Sequence, residues 1–281
     1  MEKEFLEKGF VRVPFLNPDE LASCRSLFEQ VDPGVGTSFY SSIDSRNKEY
    51  RMRVDQELRN RVAEKTKSFF VAYEPIAFTF IVKRSSPDTL IRMHVDDTHT
   101  DQNQFVSVNI WSPLVDTNET NGGLKVVQGS HLLPFPQRGL GLPFPYSNYE
   151  HLFRPFEKEI NLRAGEAIFY HDQLIHGSPP NRSGAIRPAI ITGMIPREAQ
   201  PLIYFRYPGL PDTQCEKFEV SGDFWYEFDK SKRPDQLKSL GIESYSPISI
   251  SESEFIRILE KSNQKDSFLS KLTSIFKTRE A

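Results

Sequence analysis

Ala167-Ile-Phe-Tyr-His-Asp-Gln-Leu-Ile-His176-Gly-Ser-Pro-Pro-Asn-Arg-Ser-Gly-Ala-Ile-Arg187-Pro-Ala-Ile-Ile191 holds two short apolar runs separated by a cluster of turn formers. The runs 167–170 and 188–195 are rich in β-branched and aromatic residues and too short for ordinary helices, so both are predicted as strands. The same texture recurs outward at Ala77–Lys83, Phe105–Trp111, Leu124–Val127 and Lys158–Leu162, each bounded by Gly, Pro, Asn or Asp. Many short strands with helices outside the array predict a mainly β fold with flanking helices: a double-sheet jelly roll, the cupin-like double-stranded β-helix.

Ahead of the array, Gly9–Pro14 is predicted as an opening strand. Asn17-Pro-Asp-Glu20 then offers an N-cap with Glu three residues on, before the periodic set Leu21, Cys24, Leu27 and Phe28. A second helix is expected over Gln56–Phe70. Beyond Tyr204 the pattern is irregular until a helix from Glu252, and Leu269, Leu272 and Ile275 repeat at helical spacing near the end. The expected organisation is one domain over 1–281, with a jelly-roll core at about 77–196, helical support in 1–76 and an extension over 197–281.

The chain has 281 residues, 38% hydrophobic and 26% charged, with a formal net charge of −3. That balance supports one sizeable core and provides no broad cationic field, so neither nucleic acid nor a membrane surface is an expected partner and a small molecule is. The first residues mix both charge signs without an apolar stretch, from which a cytoplasmic location is expected. Cys24 and Cys215 lie far apart and read as incidental reduced thiols.

Two segments bear on a site. In Ser107-Val-Asn-Ile-Trp111 strand alternation places Ser107, Asn109 and Trp111 on one face and Val108 and Ile110 on the other. The polar face fits a cavity wall or a half-solvated strand equally well. The Pro-, Gly- and aromatic-rich segment His131–Phe156 is too long for a passive connection and reads as a lid or binding loop, or as a static cover of the barrel.

His94-Val-Asp96 projects an imidazole and a carboxylate from one strand face toward one point, a geometry suited to chelation. A lone His-x-Asp pair is a weak signal. A third donor must come from elsewhere, and His176 is the best candidate because small residues follow it. His171 competes, but on a continuous strand its odd separation from His176 would place the two on opposite faces unless Asp172-Gln173 turns and resets the register. Two histidines and one carboxylate form the facial arrangement that holds Fe(II) with three positions open. Arg187, eleven residues on, enters an apolar strand. Its guanidinium either meets an anion, and its fork suits the distal carboxylate of 2-oxoglutarate, or it is an exposed strand-edge charge.

Four stretches taken in order, His94-Val-Asp96, Asn121-Gly-Gly-Leu-Lys-Val-Val-Gln-Gly-Ser-His131, His176-Gly-Ser-Pro-Pro-Asn-Arg-Ser and Arg187, resemble the phytanoyl-CoA dioxygenase family of iron and 2-oxoglutarate oxygenases over about Gly9–Pro196. The resemblance implies that His94, Asp96 and His176 ligate Fe(II), and that Arg187, helped by Ser178, grips the far carboxylate of 2-oxoglutarate. It further implies that Lys83, Trp111 and Asn109 border this co-substrate. For Lys83 the plain reading is a snorkelling surface lysine, and for Trp111 simple core packing. The implied reaction uses O₂, hydroxylates a C–H bond of a small substrate and releases succinate and CO₂. The carboxylate at position 96 favours hydroxylation over halogenation, because halogenating relatives leave that position without one. Asp97 faces away from His94, His131 reads as structural, and His99 and His151 are expected on loops near the mouth. Two other readings are a cupin-type isomerase or epimerase, which has no use for Arg187, and a non-catalytic jelly-roll binding protein, which is expected to have lost a ligand.

Overall fold

A computed structural model describes residues 1–34, 38–220, 224–227 and 232–263. The helical pattern at Leu269, Leu272 and Ile275 lies outside these residues. The chain opens not with a strand but with the short helix α1 (Glu2–Lys8), which ends at Gly9 in the left-handed conformation before β1 (Phe10–Pro14). Helix α2 (Pro18–Val31) is capped as expected: Asn17 Oδ1 accepts from the amides of Asp19 and Glu20, and the Glu20 side chain accepts from the Asn17 amide. After β2 (Phe39–Ser41), α3 (Lys48–Phe69) begins eight residues earlier than the hydrophobic pattern indicates, because its first two turns are polar and the start signal is the Asn47 cap.

The strands that follow are β3 (Tyr73–Lys83), β4 (Ile91–His94), β5 (Val108–Pro113), β6 (Leu124–Val127), β7 (Glu157–Ile160), β8 (Glu166–His171), β9 (His176–Ser178) and β10 (Arg187–Pro196). They build two antiparallel sheets, one in the order β1-β8-β5-β10-β3-β2 and the other β4-β9-β6-β7. The double-sheet architecture expected from the sequence is present. A third sheet was not expected: β11 (Leu202–Phe205), β12 (Gln214–Glu219) and β13 (Lys238–Ser244) form it in the C-terminal extension, with α4 (Phe224–Glu227) between β12 and β13 and α5 (Glu252–Asn263) after β13.

Alternation on β5 and β8 divides the core. Val108, Ile110, Ala167 and Phe169 pack outward with Phe5, Phe15 and Phe70, whereas Trp111, Ile168 and Tyr170 face Leu124, Val126 and Ile160 of the opposite sheet. All of β5 is buried, so the half-solvated reading of that strand does not hold. Helices α2 and α3 cover Phe78, Phe80 and Val82 of β3. Each fully buried side chain of this size contributes on the order of 1.5–3 kcal/mol. The helices therefore brace the sheet from outside and leave the space between the two sheets to the site.

Segment 131–156 is a packed cover. Tyr146 is fully buried and meets Phe135, Phe144 and Phe255 edge to face or tilted, while Tyr149 stacks on Phe255 of α5 at 5.2 Å and donates its hydroxyl to the Ile250 carbonyl. His151 pairs at the surface with Glu252. Cys24 and Cys215 are buried free thiols.

Candidate metal and co-substrate site

Strands β4 and β9 pair so that His94 and His176 stand directly opposite, with ring centroids 4.4 Å apart. The close approach depends on Gly177: a Cβ there would lie 2.8 Å from the Ile91 carbonyl oxygen, against the strand that carries His94. Asp96 stands two residues past the end of β4, and its carboxylate lies 3.8 Å from His94 Nε2 and 3.7 Å from His176 Nε2. One donor atom from each of the three residues lies within 4.8 Å of the others, close enough to hold one metal ion.

The orientation of each donor is fixed from behind. His94 Nδ1 lies 2.9 Å from the Arg92 carbonyl and His176 Nδ1 2.9 Å from the Leu174 carbonyl, so both rings donate from Nδ1 and turn Nε2 inward. Burial drives the pKa of His176 down to about 4, with Asp96 opposing the shift and His94 adding to it. The ring is therefore a neutral donor at ordinary pH. Asp96 Oδ2 accepts from Asn109 Nδ2 at 2.6 Å and from the Tyr170 hydroxyl at 3.1 Å. Asn109, expected beside the co-substrate, is thus directed at the carboxylate of Asp96. Tyr170 was not singled out in the sequence, although the alternation of Ala167–Tyr170 places it inward with Ile168.

His171 takes no part. It closes β8 in the six-stranded sheet, whereas His176 begins β9 in the other, and the turn at 172–173 carries the chain between them. Its ring stacks on Phe5 and lies 5.3 Å from that of His131, whose Nε2 bonds the Leu6 carbonyl. His131 is structural, as expected.

On the facing sheet Arg187 is 1% exposed, and its Nε and Nη1 have no hydrogen-bond partner among the described residues. Its guanidinium carbon sits 5.5 Å from the centroid of the Trp111 ring. Burial alone pulls its pKa down to about 9. The exposed strand-edge reading fails: a buried guanidinium with unpartnered donors and no carboxylate beside it, among the described residues, fits an incoming anion. Lys83 stands opposite Arg187 in the ladder and is fully buried, so it is no snorkelling lysine. Its Nζ donates to the carbonyls of Ser178 at 3.1 Å and Pro179 at 2.6 Å, and burial first, then Arg187, lowers its pKa to about 7. Ser178, two residues after His176 in β9, thereby links Lys83 to the strand that carries that candidate donor. Trp111 is both core, against Tyr170 and Ala189, and the aromatic face beneath Arg187.

Asp97 and His99 line a cavity of about 800 Å³ whose other walls include Arg51, Tyr204, Phe224 and Trp225. His99 meets the Trp225 ring edge-on at 4.7 Å, and burial lowers its pKa to about 4 against the pull of Asp96 and Asp172. The cavity is of ligand size, and Asp97 in its wall directly follows Asp96 in the chain.

Known proteins of the same fold include the carbocyclase SnoK of nogalamycin biosynthesis, described as non-haem and α-ketoglutarate dependent (19% identity, TM-score 0.51, covering 71% of this chain and 84% of SnoK). The epimerase SnoN, seen with Fe³⁺, α-ketoglutarate and nogalamycin RO, superposes with 19% identity and TM-score 0.53 over 74% of this chain and 86% of SnoN. HygX from Streptomyces hygroscopicus, seen with nickel and 2-oxoglutarate, does so with 17% identity and TM-score 0.50 over 69% and 85%. No curated protein matches the sequence. The model of the phytanoyl-CoA dioxygenase family matches residues 5–189, a span that includes all three candidate metal donors and Arg187. The chain therefore belongs to the phytanoyl-CoA dioxygenase family, a branch of the iron and 2-oxoglutarate oxygenases.

Proposed function

We propose that the protein is an Fe(II)- and 2-oxoglutarate-dependent hydroxylase of a small organic substrate. The observation that carries the reading is the conjunction of a two-histidine, one-carboxylate donor set with a buried guanidinium whose Nε and Nη1 lack partners on the facing sheet. His94, Asp96 and His176 would hold the iron: two imidazole nitrogens and one carboxylate suit Fe(II) and leave coordination positions free. Arg187 would take the distal carboxylate of 2-oxoglutarate through its free donors, with Lys83 adding positive charge at Ser178. With both bound, the centre would couple decarboxylation of the keto acid by O₂ to hydroxylation of a C–H bond, releasing succinate and CO₂.

The rest of the work falls to the chain. Backbone carbonyls hold the imidazole protons on Nδ1. Asn109 and Tyr170 fix one Asp96 oxygen. Trp111, Leu124 and Tyr170 keep water from the space between the sheets. The cavity at Asp97, His99 and Trp225 would seat the substrate. Asp97 is thus a substrate-side group, since Asp96 supplies the metal carboxylate.

Purified protein supplied with Fe(II), 2-oxoglutarate and ascorbate should release succinate, and His176→Ala should reduce release to background. Persistence of turnover in that variant would end the reading. A mass-spectrometric screen of metabolites for a gain of one oxygen, dependent on 2-oxoglutarate, identifies the substrate and separates hydroxylation from ring closure or epimerisation.

A further inference from the structure

We infer that Arg138 is a positioning residue for the metal centre, holding the main chain of Asp96 in place by clamping it to Asp172. The inference rests on the metal reading above. Asp96 lies beyond the last ladder pair of β4 and β9, His94 with His176, so the sheet does not fix its backbone. Arg138 does. It is 3% exposed, its Nη1 donates to the carbonyls of Asp96 at 2.6 Å and Asp172 at 2.7 Å, its Nη2 to Asp172 Oδ2 at 2.6 Å, and its Nε to Gln102 Oε1 at 3.1 Å. The Arg138 carbonyl accepts the Thr98 amide at 3.3 Å, which ties the chain on the other side of Asp96 to the same residue.

The clamp is charge-balanced. Burial acts to raise the Asp172 pKa, yet Arg138 and His171 prevail and hold the carboxyl well below the ordinary range, so the pair is ionised at neutral pH. The fork matters as much as the charge, because one guanidinium must span two carbonyls and a carboxylate at once. Arg138 is fixed in turn by the third sheet: Leu140 exchanges backbone bonds with Tyr204 and Arg206 at 3.1 and 2.9 Å, and a Cβ on Gly139 would sit 2.1 Å from the Tyr204 carbonyl oxygen. Through residues 138–140 the C-terminal extension becomes part of the support of the metal carboxylate.

The test uses Co(II) as the metal, read by its visible absorption, together with the melting temperature of the metal-free protein. Arg138→Lys keeps a cation against Asp172 but loses the fork. The double variant Arg138→Met with Asp172→Leu removes the buried pair as a unit and avoids stranding one charge. Both should bind Co(II) about tenfold or more weakly, the range typical of outer-shell changes, with an altered absorption band. Wild-type affinity and an unchanged band in either folded variant would overturn the inference. Should neither fold, hydrogen exchange on the wild type decides: Co(II) should slow exchange at the Thr98 and Leu140 amides, and unchanged exchange there overturns it equally. If the wild type binds no Co(II), the metal reading fails first and the inference with it. If it binds and the variants match it, the inference alone fails.

Discussion

The two sheets treat their polar residues in opposite ways. On the β4 and β9 side every donor is held by a group behind it: carbonyls behind both imidazoles, Asn109 and Tyr170 on the carboxylate, Arg138 on the backbone. On the β3 and β10 side two cations are buried side by side: Lys83 donates to neutral carbonyls, and Nε and Nη1 of Arg187 have no partner among the described residues. The first arrangement is preorganised and costs little on its own. The second is destabilising until an anion arrives, so stability and ligand affinity are opposed there. A buried charge without a counter-ion marks a ligand's place more specifically than a well-satisfied one does.

The contrast is open to breakage, most severely at Arg187. Arg187→Met should weaken 2-oxoglutarate binding by about 100-fold, the scale of losing a charged bidentate contact, and should raise the melting temperature of the ligand-free protein. Calorimetry and thermal melting read the two effects separately, and a fall in melting temperature with intact affinity would abolish the distinction between the sheets.

On the preorganised side Tyr170→Phe should weaken metal affinity about tenfold, the lower end for an outer-shell partner, with the fold retained. Metal titration checks this, and Asn109→Ala should act in the same direction.

Lys83 sharpens the contrast through pH. Its folded pKa is depressed to about 7, whereas the ordinary value is 10.5. Between those two pH values the unfolded chain binds the extra proton and the folded one does not. Stability should therefore rise with pH from about 7 toward 10.5 and fall as pH is lowered through that window. Lys83→Met should flatten this part of the melting-temperature profile. Binding of a dianion beside the ammonium favours its protonated form, so 2-oxoglutarate affinity should weaken as pH rises above 7 in the wild type and lose that dependence in the variant. The smallest effect is expected away from both sheets: Tyr149→Phe removes the bond to the Ile250 carbonyl and should cost about 1 kcal/mol of stability, leaving metal and co-substrate binding unchanged.

The convergence of the candidate donors was legible because strand pairing turns sequence order into geometry. His94 and His176 face each other by register, and Arg187 follows on a strand whose apolar flanks bury it. The three-stranded C-terminal sheet was not legible, because β13 is mostly exposed and Gly241 interrupts it, so its residues lack an apolar period. Helix α1 escaped because seven residues with one buried side chain, Phe5, give no periodic signal. Arg138 had no local signature at all: its partners at positions 96, 102 and 172 are distant in sequence and meet only in the fold. The aromatics of 131–156 pack against Phe255 and Leu259 of α5, a pairing between segments about a hundred residues apart that local composition does not encode.

The unpartnered guanidinium also bears on how long the protein lasts. A ligand that binds only the folded form adds about 2.7 kcal/mol at a hundred times its dissociation constant. Where Arg187 meets its anion, the folded population grows and the fraction open to proteases shrinks accordingly. Under the proposed function, abundance of the protein would then follow the supply of 2-oxoglutarate by mass action.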